Sequence, residues 1–268
     1  MSLAGALVEL QELQELTERL RRECPWDREQ TARTIVPHTV EEAYEVADAA
    51  MADDDDKLLG ELGDLLYQCI FLALLLQERG HGDLEQVIRR VHAKLVQRHP
   101  HVFGDEAVRT AGGVRSRWEE LKVEQEGRAG IFHDVPENLP ALLYARKVQR
   151  RATSVGFEYP DLDGAVADLD DELRELRAEL PEAEPPAERE PPPRVAAELG
   201  DVLFALVNVA RRLNVDPELE LRAAAKRFRA RVELAERIAA ADGSDWKSLP
   251  LEEQDGYYDK AKLKEAGA

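Results

Sequence analysis

The chain is poor in cysteine, in aromatic residues and in positive charge, and each shortage excludes something. Its two cysteines, Cys24 and Cys69, make neither a Cys-x-x-Cys pair nor a disulfide framework, which fits a reducing compartment. Only 36 basic residues face 55 acidic ones, a net charge of -19. Such a chain repels nucleic-acid phosphates, so no direct binding of DNA or RNA is expected. No basic segment leads into an apolar core at the N-terminus, so no signal peptide is expected. The longest apolar run, Cys69 to Leu76, is far short of the roughly 20 residues of a membrane span. These absences together predict a soluble cytoplasmic protein with no membrane partner. Alternating Val/Ile/Thr runs are missing as well, and Val155 to Tyr159 is too short to make a strand. A glycine-rich phosphate loop is also lacking.

What is present is helical period. Leu7, Leu10, Leu13, Leu16 and Leu20 mark an amphipathic helix over 3–23, broken by Cys24-Pro25-Trp26-Asp27. Helical patterns follow at 38–51, 57–79, 83–98 and 114–126, and again at 139–153, 163–180, 194–213, 216–240 and 250–264. Residues 127–138, with Gly, Pro and Asp, read as a linker, and the Pro- and Glu-rich stretch 181–193 reads as a loop. The predicted fold class is all-α, in two tandem helical bundles, 1–126 and 139–268.

One unit recurs in both halves. Glu42 and Glu45 precede Glu61-Leu62-Gly63-Asp64, and Glu172 and Glu175 precede Glu198-Leu199-Gly200-Asp201. A repeat of over 100 residues marks a duplicated domain. Taken alone, Glu42 and Glu45 oppose Val40, Ala43 and Ala47 and would be a solvated face. The next helix changes that reading. It is apolar almost all round from Tyr67 to Leu76, and the stripe of Glu61, Asp64 and Gln68 continues into Phe71 and Leu75. Glu61 and Asp64 are therefore expected to face a cleft. At about 1.5 Å of rise per residue, an antiparallel hairpin brings all four acids to similar heights. Four carboxylates in one cleft repel each other unless cations intervene, and an all-oxygen set suits Mg²⁺ or Mn²⁺. A ferritin-like di-iron centre needs two Glu-x-x-His pairs, and the chain has one, Glu78 with His81, interrupted by Gly80. His38, His92, His99, His101 and His133 lack zinc spacing. Lys94 and Arg98, four apart on one helix face, could grip a polyphosphate or simply be solvated. Trp118, four before Lys122, could stack on a base or sit in a core.

The order Cys24-Pro25-Trp26-Asp27, Glu-Glu-x-x-Glu, Glu-x-x-Asp and Lys94-x-x-x-Arg98-His99-Pro100-His101-Val102-Phe103 resembles the MazG family over almost the whole chain. That family comprises tandem-domain members of the all-α nucleoside triphosphate pyrophosphohydrolases. The resemblance implies Mg²⁺-dependent cleavage of nucleoside triphosphates to monophosphate and pyrophosphate, and a homodimer. It implies that Glu42, Glu45, Glu61 and Asp64, and in the second half Glu172, Glu175, Glu198 and Asp201, are metal ligands and catalytic residues. Lys94, Arg98, Trp118 and Lys122 become substrate contacts. Their counterparts in the second half depart from the pattern: Arg227 replaces Lys, Arg231 keeps Arg, Tyr258 replaces Trp and Lys262 keeps Lys. Asp171 stands in the doubled-acid position. The alternatives are a non-catalytic helical regulator with relic acid sites, and a dUTP or phosphoribosyl-ATP hydrolase of the same superfamily.

Overall fold

The structure, a computed structural model, describes residues 3–104, 130–132, 135–182 and 190–266. Within these there is no β-strand. The chain separates into two compact units, Met1–Lys122 and Val123–Ala268. The expected boundary at 126 and helix 114–126 lie outside the described residues.

In the first unit α1 spans Leu3–Glu23, α2 Pro25–Glu29, α3 Ala32–Met51, α4 Asp55–Glu78, α5 Leu84–Gln97 and α6 Pro100–Phe103. The leucine stripe of α1 is only partly the buried face. Thr17 is fully buried and donates to the Leu13 carbonyl, whereas Leu7 and Leu16 point outward. Cys24-Pro25 does break the helix, but proline at the first helical position starts another, because its missing N–H costs nothing there. Helix α3 begins six residues before the predicted 38. Thr31 caps it through reciprocal hydrogen bonds with Thr34, and the helix runs on through Pro37. Asp54 caps α4, and Asp55 and Asp56 complement its dipole. Gly80, at φ 69°, ends it: its N–H reaches the Gln77 carbonyl and that of His81 reaches Leu76.

Helices α3 and α4 form the most extensive pair of this unit, joined by a three-residue turn. Ile35, Phe71 and Leu75 make the core, with Ala32, Tyr67 and Leu72 against it. By length and composition α4 is apolar enough to cross a membrane. It also carries Glu61 and Asp64 and buries Gln68, Ile70 and Phe71, which is how the central helix of a bundle reads. Arg21 ties α1 to the others by a two-pronged pair with Glu78 at 2.8 Å and by bonds to the Asp27 and Gln30 carbonyls. Both cysteines are unpaired.

The second unit holds α7 (Ala141–Thr153), α8 (Leu162–Glu179), α9 (Pro193–Arg212), α10 (Pro217–Ala241), a 3₁₀ turn (Trp246–Ser248) and α11 (Leu251–Ala266). Helices α8 and α9 repeat the α3–α4 pairing, and α10 packs along α11. Small residues set these seams: Ala165, Ala205, Ala235, Ala239 and Ala261 are buried. Glu158, just before α8, accepts from Arg211 at 2.6 Å, from Arg212 at 2.8 Å and from Thr153 at 3.0 Å.

Candidate metal centres

Helix α3 presents Glu42 and Glu45 one turn apart, and α4 brings Glu61 up against them. One carboxylate oxygen of each lies within 4.8 Å of the others. Glu172 and Glu175 of α8 and Glu198 of α9 make the same trio, also within 4.8 Å. The sequence places four acids in each cluster, and the structure brings three close. The fourth stands nearby and is exposed: Asp64 acts electrostatically on Glu42 and Glu61, and Asp201 on Glu172. The expected cleft is thus shallower at Asp64 than the burial of Gln68 and Phe71 suggested.

The electrostatics are those of crowded carboxylates. Desolvation and then Asp64, Glu45 and Glu61 push the Glu42 carboxyl above its ordinary range. Glu61 moves the same way through desolvation and Glu45, with Lys57, 4.0 Å away, opposing. Glu172 is raised by desolvation, then Asp201, Glu175, Asp168 and Glu198. Each trio costs energy while it is charged and empty, and a bound cation removes that cost. With oxygen donors alone, the trios fit a hard divalent ion.

The cationic residues stand on other helices of each unit. Lys94 is exposed on α5 and Arg98 caps its end. Helix α5 packs on α4, the helix that carries Glu61. Trp118 and Lys122 lie outside the described residues. In the second unit Arg227 is exposed on α10, and Arg231 pairs with Glu265 of α11 at 2.7 Å. The ring of Tyr258 has Phe228 at 5.8 Å between centroids and Lys262 Nζ 4.7 Å from its centroid. Asp171 turns outward to Arg174.

Sequence reasoning missed a cavity of about 460 Å³ in the second unit. Gly156 to Tyr159, within the stretch too short for a strand, line it. Phe157, Tyr159 and Phe204 supply aromatic surface, Asp168 lies at one edge, and Gln149 and Asn208 bring amides. Tyr159 donates to Asp168 at 2.6 Å; that bond first, then burial, pushes its hydroxyl up to about 12.

Residues 30–103 match the model of the MazG nucleotide pyrophosphohydrolase domain. The chain is 40% identical to the nucleoside triphosphate pyrophosphohydrolase/pyrophosphatase MazG of Thermotoga maritima, over 98% of both proteins. It is 39% identical to the nucleoside triphosphate pyrophosphohydrolase of Escherichia coli K12, over 90% of this chain and 91% of that one. A nucleoside triphosphate pyrophosphohydrolase of Mycobacterium tuberculosis is 32% identical over 53% of this chain and 44% of its own length. Two helical units with paired carboxylate trios and likeness to full-length relatives have one reading: the chain belongs to the MazG nucleotide pyrophosphohydrolase family.

Proposed function

We propose that the chain hydrolyses ribo- and deoxynucleoside triphosphates to the monophosphate and pyrophosphate, by attack of water on the α-phosphorus. The carrying observation is the pair of carboxylate trios, each closing three acids to within 4.8 Å from two helices. Glu42, Glu45 and Glu61, with Asp64 beside them, would hold Mg²⁺ in the first unit. Glu172, Glu175 and Glu198, with Asp201, would hold it in the second. Bound there, the ion supplies Lewis-acid polarisation of the phosphates and a lowered pKa for water. The side chains do the rest. One of the glutamates of the site accepts the proton that water loses. Lys94 and Arg98, or Arg227 and Arg231, neutralise charge on the departing pyrophosphate. Trp118 with Lys122, and Tyr258 with Lys262, are further contacts to base or phosphate.

The exposed apolar faces of α4, with Leu59, Leu62 and Leu66, and of α5, with Val87, Ile88, Val91 and Leu95, support assembly as a homodimer. We place the protein in the cytoplasm, cleaning or regulating the nucleotide pool, with no role for nucleic acid or membrane.

The test compares Glu42→Ala/Glu45→Ala with Glu172→Ala/Glu175→Ala for pyrophosphate release in the presence of Mg²⁺. Loss of even the partners around metal ligands costs about 10–100-fold, so the pair in a working unit should cost about a hundredfold or more. If neither pair lowers the rate, the assignment is wrong. In ¹⁸O-water the label should enter the monophosphate; label in pyrophosphate would overturn attack at the α-phosphorus.

A further inference from the structure

The two helices that carry the second trio are tied loosely at the end where the chain joins them. Thirteen residues lie between Glu179 of α8 and Pro193 of α9. Arg194 pairs with Glu179 there at 2.9 Å, but the Arg194 side chain is 79% exposed. Ion pairs so open to water are worth about 0–1 kcal/mol.

At the opposite end the ties are shorter and drier. They come from two adjacent residues of the segment 154–161, between α7 and α8. Glu158 reaches α9. Its carboxylate accepts from Arg211 at 2.6 Å and from Arg212 at 2.8 Å, and the side chains of Arg211, Arg212 and Glu158 are only 12%, 16% and 21% exposed. Tyr159 reaches α8. Its hydroxyl donates to Asp168 at 2.6 Å, while its carbonyl accepts from Arg212 at 2.8 Å. The segment is itself braced: the Thr153 hydroxyl donates to Glu158 at 3.0 Å and the Phe157 N–H to the Ala152 carbonyl at 3.1 Å.

Asp168, Glu172 and Glu175 follow at i, i+4 and i+7, so Tyr159 grips α8 on the stripe that carries two of the trio. Glu158 grips the helix that carries the third, Glu198. A reduced form of this arrangement occurs in the first unit. There the buried Asp27, fifteen residues before Glu42, faces the Tyr67 hydroxyl of α4 at 3.5 Å. In that unit a three-residue turn also joins the two ligand-bearing helices directly. Ligand sets work only when they are held to within about 0.5 Å by the groups around them, and in the second unit that task falls to the far end of the helix pair.

We propose that Glu158 and Tyr159 are positioning residues of the second metal centre: together they strap α8 to α9 so that Glu198 meets Glu172 and Glu175. The proposal rests on the reading that this trio holds a hard divalent cation. Loss of the strap takes none of the trio's oxygens away. It loosens their spacing, so cation affinity falls while the chain stays folded.

The test uses the full chain with Glu42→Gln and Glu45→Gln, so that the second centre reports. Electron paramagnetic resonance of free Mn²⁺ gives its dissociation constant, and circular dichroism checks the fold of each variant at the same temperature. Tyr159→Phe removes one hydroxyl and no charge. It should weaken Mn²⁺ about tenfold, the lower end of what loss of a ligand-orienting partner costs. Glu158→Gln should do the same or more; if it does not fold, Tyr159→Phe decides alone. Ala239→Gly, in the buried seam of α10, serves as the stability control: it should lower the urea midpoint and leave Mn²⁺ affinity where it was. An unchanged Mn²⁺ affinity in Tyr159→Phe would overturn the proposal. So would a tighter one, which would mean that the freed Asp168 joins the ion. A loss in Ala239→Gly equal to that in Tyr159→Phe would reduce the strap to general stability and overturn it too. Absence of Mn²⁺ binding before Tyr159 is changed overturns both the strap and the metal reading of the trio. Pyrophosphate release is followed in the same chain with Mg²⁺. A tenfold loss of Mn²⁺ affinity in Tyr159→Phe, with no release from the chain that keeps Tyr159, supports the strap and sinks only the hydrolytic reading of the second unit.

Discussion

The acid trios and Glu158 show the same residue type put to opposite uses. Glu42, Glu61 and Glu172 are pushed upward by desolvation and then by neighbouring acids. Burial pushes Glu158 upward too, but bonds from Arg211, Arg212 and Thr153 outweigh it and hold the carboxyl below its ordinary range. The first arrangement waits for a cation, and the second already has two. The sign for Glu158 follows from its depressed folded value. Its stabilisation is full above the unfolded value of about 4.3 and is lost as pH falls through the lower folded one. Glu158→Gln should lower the urea midpoint at neutral pH, by on the order of 2 kcal/mol of stability. The difference from the parent should shrink as the pH is taken down to about 3. A constant difference across that range would deny the ion pairs their role.

Among the elements, α4 carries most of the first unit. It lends Glu61 to the trio, Tyr67 to Asp27 at 3.5 Å, and Phe71 and Leu75 to the core. Phe71 is fully buried, with Tyr67 at 6.0 Å between centroids. Phe71→Ala should cost about 3–5 kcal/mol in denaturant unfolding; a cost under about 1 kcal/mol would mean that α4 is not the centre of this core. Much of this was legible in the sequence, because the all-round apolar run of α4 and the Glu-x-x-Glu spacing of α3 are local signals of period 3.6. What sequence hid is what period does not encode. Helix α3 starts six residues before the expected position and runs through Pro37, because Thr31 and Thr34 cap it further upstream. The cavity joins Gln149 of α7 to Phe204 of α9, residues far apart in the chain, and no local pattern announces their meeting. Thr17, a polar residue within an apolar stripe, was buried because its hydroxyl is satisfied by its own helix.

At the scale of the whole molecule, two units repeat one plan and leave apolar faces uncovered. Val87, Ile88, Val91 and Leu95 of α5 are each more than two-fifths exposed. Light scattering should give twice the chain mass for the parent, and the single mass for Ile88→Glu/Val91→Glu; an unchanged mass in the variant would place the dimer contact elsewhere. The two copies also differ in where they keep the distance between their ligand-bearing helices. In the first, Ala52 to Asp54 join α3 to α4, with Asp53 in the left-handed region at φ 52° and the Asp54 N–H on the Ala49 carbonyl. Removing one residue from that turn would rotate α4 by about 100° and carry Glu61 off the face it shares with Glu42. In the second, thirteen residues lie between Glu179 and Pro193, and Arg194 of α9 pairs with Glu179 of α8 at 2.9 Å. Side chains of the two helices, with Ala165, Ala205 and Val207 buried, keep Glu198 beside Glu172. One centre has its spacing written in the backbone, and the other has it written in the core.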